Sequence, residues 1–221
     1  MPAIVTPVGS LHYTVRVPEG SGPWPAVVLL HGRGGDMGDL LPLAEELPQL
    51  AWVALRAPLP YRGGGYAWYP IISDGHPDEE GFLRAQTAVR AFLVALPGQM
   101  PVDPDRIAVV GFSQGAALAA ATGVGPAGIP RACAVLSGYL PGFVPVQGAP
   151  VQRHAFVAYG TLDRVVPAER GQQASERLRV RGVTVEEHRY AMEHTVIPIE
   201  VADLRQWLVS VLGGVETAVT E

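Results

Sequence analysis

The sequence predicts an α/β fold, a mostly parallel central sheet with helices on both faces, from three observations. Short apolar runs rich in β-branched residues recur along the chain, segments with apolar residues at helical spacing separate them, and glycine and proline collect in the connections. Such runs suit strands buried on both faces, and strands alternating with helices form right-handed crossovers that cover a parallel sheet. The 221 residues fit one domain, 1–221, since single α/β domains commonly reach roughly 200–250 residues. A composition 48% hydrophobic and 17% charged supplies a large core and excludes a disordered chain.

Along the chain, residues 26–30 (AVVLL) end at His31-Gly32 and read as a central parallel strand. Further strands are expected at 52–55, 107–110, 132–136, 155–159 and, by alternation, 183–190. Helices are expected at 40–47, 81–96, 114–122, 169–180 and 196–212. Residues 57–80 form a long irregular stretch with four aromatics, and long loops in compact domains usually carry function. This one is read as a wall of a substrate pocket.

Several function classes are excluded. The net charge is −5 and the 16 basic residues are scattered, which leaves no basic stripe for nucleic acid. No run of about 18 apolar residues suits membrane insertion, and the N-terminal residues lack a signal-peptide pattern, so a cytoplasmic protein is expected. The lone cysteine, Cys133, lies in an apolar run and reads as core packing, not a reactive thiol.

The chemical signal is Gly111-Phe112-Ser113-Gln114-Gly115, a G-x-S-x-G between a strand and an alanine-rich helix. A sharp strand-to-helix turn exposes the serine in a strained conformation, and its flanking glycines let strand and helix approach. A serine hydroxyl needs a positioned base, and the base an orienting acid. Chain order Ser, acid, His, with the last two in loops after later strands, selects Asp163 and His194. His12, His31, His76, His154 and His188 are disfavoured by position. Asp103 and Asp105 look like turn or cap residues beside Pro104, and Asp203 like a solvated helix residue. The oxyanion donors would be the backbone N–H groups of Gln114, after the nucleophile, and Arg33, in the glycine-rich loop 31–36. That loop lacks the spacing of a phosphate-binding loop.

These residues resemble the phospholipase/carboxylesterase group of α/β-hydrolases, which includes acyl-protein thioesterases and bacterial carboxylesterases. The likeness spans nearly the whole chain: LLHGRGGD from Leu29, AWYP from Ala67, VDPDRIAVVGFSQGA from Val102, LSGYLP from Leu136, GTLDRVVP from Gly160 and MEHT from Met192. It implies a triad of Ser113, Asp163 and His194, hydrolysis of carboxylic esters or thioesters without cofactor or metal, and a minimal fold without a large cap domain. The chain departs from many relatives at Arg33, where they have an apolar residue although bacterial members that also carry WYP often have arginine, and at Glu193, where relatives usually have Gly before the histidine.

The expected reaction passes through an acyl-enzyme that water resolves. Trp68, Tyr139 and Val165 are candidates for the substrate pocket, each with ordinary core packing as the alternative. The partner is a small-molecule ester or thioester, acted on by a monomer or homodimer. Lactone hydrolysis or peptidase action would use the same residues, and a non-catalytic binding protein could keep the fold. A dehalogenase would need a carboxylate in place of Ser113.

Overall fold

A computed structural model of the chain describes residues 4–8, 11–73, 75–123, 130–145 and 153–213. The strands in chain order are β1 (Ile4–Val8), β2 (Leu11–Arg16), β3 (Trp24–Leu30), β4 (Ala51–Leu55), β5 (Leu59–Pro60), β6 (Tyr66–Ala67), β7 (Ile71–Ser73), β8 (His76–Pro77), β9 (Val102–Phe112), β10 (Ala132–Leu136), β11 (His154–Gly160) and β12 (Thr184–Tyr190). The helices are α1 (Glu79–Ala95), α2 (Gln114–Gly123), α3 (Ala168–Val180) and α4 (Pro198–Leu212).

Eight strands form the main sheet in the order β1-β2-β4-β3-β9-β10-β11-β12. The six from β4 to β12 run parallel; at one edge β2 pairs antiparallel to β4, and β1 antiparallel to β2. The chain leaves β3 for β4 on one side and returns to β9 on the other, so the strand order reverses between β3 and β9. A crevice opens at the carboxyl ends of strands at such a switch point. His31-Gly32-Arg33 follows β3 there, and Ser113 follows β9.

Successive β3 side chains feed two cores. Ala26, Val28 and Leu30 join the layer beneath α1, α2 and α3, and Val27 and Leu29 join the layer beneath α4. Period-two alternation in a strand covered on both faces produces this division. Asp78 starts α1, its carboxylate accepting from Gly81 N at 2.7 Å.

The structure corrects four local expectations. Residues 40–47 hold a 3₁₀ turn over Leu41–Glu45 in place of an α-helix, and Pro48 disfavours helical backbone at Leu47. The stretch 57–80 is less irregular than expected: β5 pairs with β6 and β7 with β8. The β6 strand is bound to the loop after β3, with Gly34 N donating to Tyr66 O and Tyr66 N to Gly35 O, each at 2.8 Å. Asp103 and Asp105 lie inside β9, although Asp103 still accepts locally from Asp105 N and Arg106 Nε. Asp203 accepts from Tyr190 Oη at 2.7 Å and is part-buried, not fully solvated. Among the described residues, no helix is long and apolar enough to cross a membrane.

Candidate active site

Ser113 occupies the turn between β9 and α2 with φ of 55°, a left-handed backbone unfavourable for a residue with a side chain. Its N–H donates to Leu136 O at 2.9 Å, tying the turn to β10. The flanking glycines are sterically required. A Cβ on Gly111 would collide with the Gly115 carbonyl, and one on Gly115 with Leu30 O. Strand β9, helix α2 and the end of β3 therefore meet backbone to backbone around the serine.

Asp163 and His194 come from the loops after β11 and β12. The two loops bind each other, with Leu162 N donating to Met192 O at 3.1 Å and Thr161 N to Tyr190 O at 2.8 Å. Asp163 has a fully buried side chain. Its Oδ1 accepts from Val165 N and Val166 N at 2.8 and 2.9 Å, leaving Oδ2 directed at His194 Nδ1 at 2.7 Å. On the far side of the ring, His194 Nε2 lies 2.8 Å from Ser113 Oγ. The imidazole packs against Phe112, with ring centroids 4.9 Å apart. Three side chains separated by 50 and 31 positions thus form one hydrogen-bonded line. An acid–imidazole–hydroxyl line of this kind can draw a proton from the hydroxyl while the acid holds the ring.

The backbone N–H groups of Arg33 and Gln114 have no acceptor among the described residues. Both residues line a cavity of about 80 Å³ with Ser113, Tyr139, Val165 and Arg170. His31 holds this loop: its Nε2 accepts from Ala57 N at 3.0 Å and its Nδ1 donates to Gly32 O at 2.7 Å. Burial lowers the pKa of His31, which keeps the ring neutral and able to accept. It is a structural histidine, as its place before the serine suggests. Burial also pushes the Cys133 thiol up to about 12, and a thiol so protonated is inert.

Of the pocket candidates, Tyr139 and Val165 line both this cavity and an adjoining cleft of about 780 Å³. Trp68 does not. It is 1% exposed, with its indole N–H on His31 O at 2.9 Å and its backbone N–H on Gln114 Oε1 at 2.8 Å. A buried indole needs an acceptor, and the loop after β3 supplies one behind the site. Glu193 is exposed to solvent.

Some contributors carry no sequence signal. The Gln114 side chain bolts the start of α2 to residues 68–69, accepting from Trp68 N and donating to Tyr69 O at 2.7 Å. Tyr69 Oη returns a bond to Gln114 O at 3.1 Å. Arg170 stacks on Tyr139, its guanidinium carbon 3.8 Å from the ring centroid. Among the described residues no group of three His, Cys, Asp or Glu side chains could hold a metal ion.

The chain resembles known proteins over most of its length. It is 29% identical to acyl-protein thioesterase 1 of Candida albicans over 196 residues, which is 76% of this chain and 83% of that one. The Bacillus cereus carboxylesterase superposes with a TM-score of 0.84 at 22% identity, covering 92% of this chain and 96% of the other, and shares the fold. Esterase PE8 superposes with a TM-score of 0.78 at 27% identity, covering 90% and 97%. Residues 14–212 match the phospholipase/carboxylesterase family. With that match covering nearly the whole chain, the protein belongs to the phospholipase/carboxylesterase family of α/β-hydrolases.

Proposed function

We propose that this ester and thioester hydrolase works through an acyl-enzyme on Ser113. The observation that carries the reading is the line Ser113 Oγ, His194 Nε2, His194 Nδ1, Asp163 Oδ2, with contacts of 2.8 and 2.7 Å. Ser113 Oγ bonds to the acyl carbon as its proton passes to His194 Nε2. The carbonyl electron pair moves onto oxygen, where the Arg33 and Gln114 N–H groups stabilise it. Collapse breaks the bond to the alcohol or thiol, which leaves with the proton from His194. Water, deprotonated by the same imidazole, then frees the acid and restores Ser113. Asp163 keeps the imidazole in the tautomer that presents a bare Nε2 to the serine.

Residues 1–221 act as one domain on this reading, the two cores sharing one sheet. The substrate is a small molecule that fits the cavity beside Ser113 and its adjoining cleft. The same proposal has the enzyme act in the cytoplasm, as a monomer or a homodimer.

Hydrolysis of p-nitrophenyl esters of graded acyl length tests the reading. The wild type is expected to hydrolyse short and medium esters, and Ser113→Ala to lose activity by roughly 10⁵-fold or more. Equal rates in the two proteins would remove Ser113 from the reaction.

A further inference from the structure

On the hydrolase reading above, we propose that the acyl group this enzyme accepts carries its own carboxylate, bound by Arg170 in the cavity beside Ser113. The cavity of about 80 Å³ touches Ser113 and both oxyanion residues but is not lined by His194. A leaving group must sit at His194 to receive its proton, so the cavity and the cleft adjoining it take the acyl side.

That side is positively charged. Arg33 and Arg170 line the cavity, and Arg164, Arg170 and Arg177 line the cleft. No Asp or Glu among the described residues lines either one; Asp74, before the lining Gly75 in the chain, lies outside the described residues. None of the four arginines pairs with a carboxylate among the described residues, whereas Arg56, Arg106 and Arg179 do.

The four differ in what they can offer. Arg177 directs its donors to the carbonyls of Leu140, Pro141, Gly142 and Val144, so it fixes the cleft wall and contributes charge. Arg170 is held by its face against Tyr139, and no hydrogen bond from its guanidinium is made among the described residues. A guanidinium stacked by its face keeps the N–H donors of its edge, in the fork geometry that matches a carboxylate. A neutral fatty chain would lie beside these cations and leave them unanswered. An ω-carboxyacyl group would pair with Arg170 while Tyr139, Val165 and Phe143 pack against its methylenes.

The test compares p-nitrophenyl hydrogen glutarate with its ω-amide, the p-nitrophenyl ester of glutaramic acid, nearly equal in size and differing in charge. Wild type is expected to show kcat/KM about tenfold or more higher for the acid, as a charge-assisted hydrogen bond allows. Arg170→Gln is expected to bring the ratio near one, and Arg84→Gln, an exposed change on α1, to leave it high. Rising salt should lower the wild-type ratio, a measurement that needs no variant. Ser113-dependent hydrolysis without preference for the acid, or with a preference that survives Arg170→Gln, would overturn the inference and leave the hydrolase reading intact. Absence of Ser113-dependent hydrolysis of either ester would overturn both.

Discussion

Around Ser113 the backbone is packed without spare room, whereas the cleft beside it is open. A side chain on Gly111 or Gly115 would strike a carbonyl, but among the described residues a Cβ on Gly75 would meet nothing nearer than the Arg170 guanidinium at 3.7 Å, and Val165 is 60% exposed. The turn is held by backbone contacts among β3, β9, β10 and α2. The cleft is walled by residues 75–77 and 139–143, by Arg164, Val165 and Pro167, and by α3. A fixed turn sets the position of the reacting oxygen, and an open wall leaves the substrate to be chosen by a few side chains. Gln114 ties the turn to the loop behind it, because its backbone opens on the cavity beside Ser113 and its side chain anchors residues 68–69.

The contrast predicts where substitutions fall hardest. Asp163→Asn should reduce kcat by about 10⁴-fold with the fold retained, because an amide accepting from Val165 and Val166 N–H presents its NH₂ to His194 and selects the wrong tautomer. Steady-state kinetics with matching circular dichroism spectra check this, and a loss below tenfold would break the picture of a rigid reacting side. Gln114→Ala strands the Trp68 N–H and the Tyr69 carbonyl in a buried place. A loss of about 2–3 kcal/mol in stability, read from urea unfolding, is expected, together with lower activity as the loop behind the site loosens.

The smallest effect concerns the segment that follows His194. Glu200, at the start of α4, is fully buried, accepts from Ile197 N at 3.4 Å through Oε2, and has no partner at Oε1 among the described residues. Burial raises its pKa from 4.5 to about 7. The folded protein then holds a proton that the unfolded chain has released between about pH 4.5 and 7, so this carboxyl makes stability fall as pH rises through that window. Glu200→Gln should flatten the fall and stabilise the protein by about 1–2 kcal/mol at pH 8, as measured by denaturant midpoints at several pH values. An unchanged pH profile would show that Glu200 ionises without cost.

The same contrast explains what the sequence made legible. The turn was readable because its requirements are local: a strand, two glycines that let backbones touch, a serine, and an alanine-rich helix. Asp163 and His194 were readable from chain order and from their places after the last two parallel strands, and the structure brings both to Ser113. The cleft was not, since Arg33, Arg164, Arg170 and Arg177 look scattered along the chain and only the fold gathers them. Trp68 was misplaced for a related reason: an aromatic in a loop signals burial, but not whether the ring faces a ligand or, as here, reaches His31 O behind the site. The hairpins in 57–80 lacked the alternation that marks longer strands, and Pro48 cut short the helical pattern that precedes it.

The most direct test of the central claim is mass-spectrometric mapping of the protein after reaction with a fluorophosphonate, which traps an activated serine. One adduct on the peptide carrying Ser113, lost in His194→Ala, is the expected result. No adduct, an adduct elsewhere, or labelling of Ser113 that survives removal of the histidine would contradict the account.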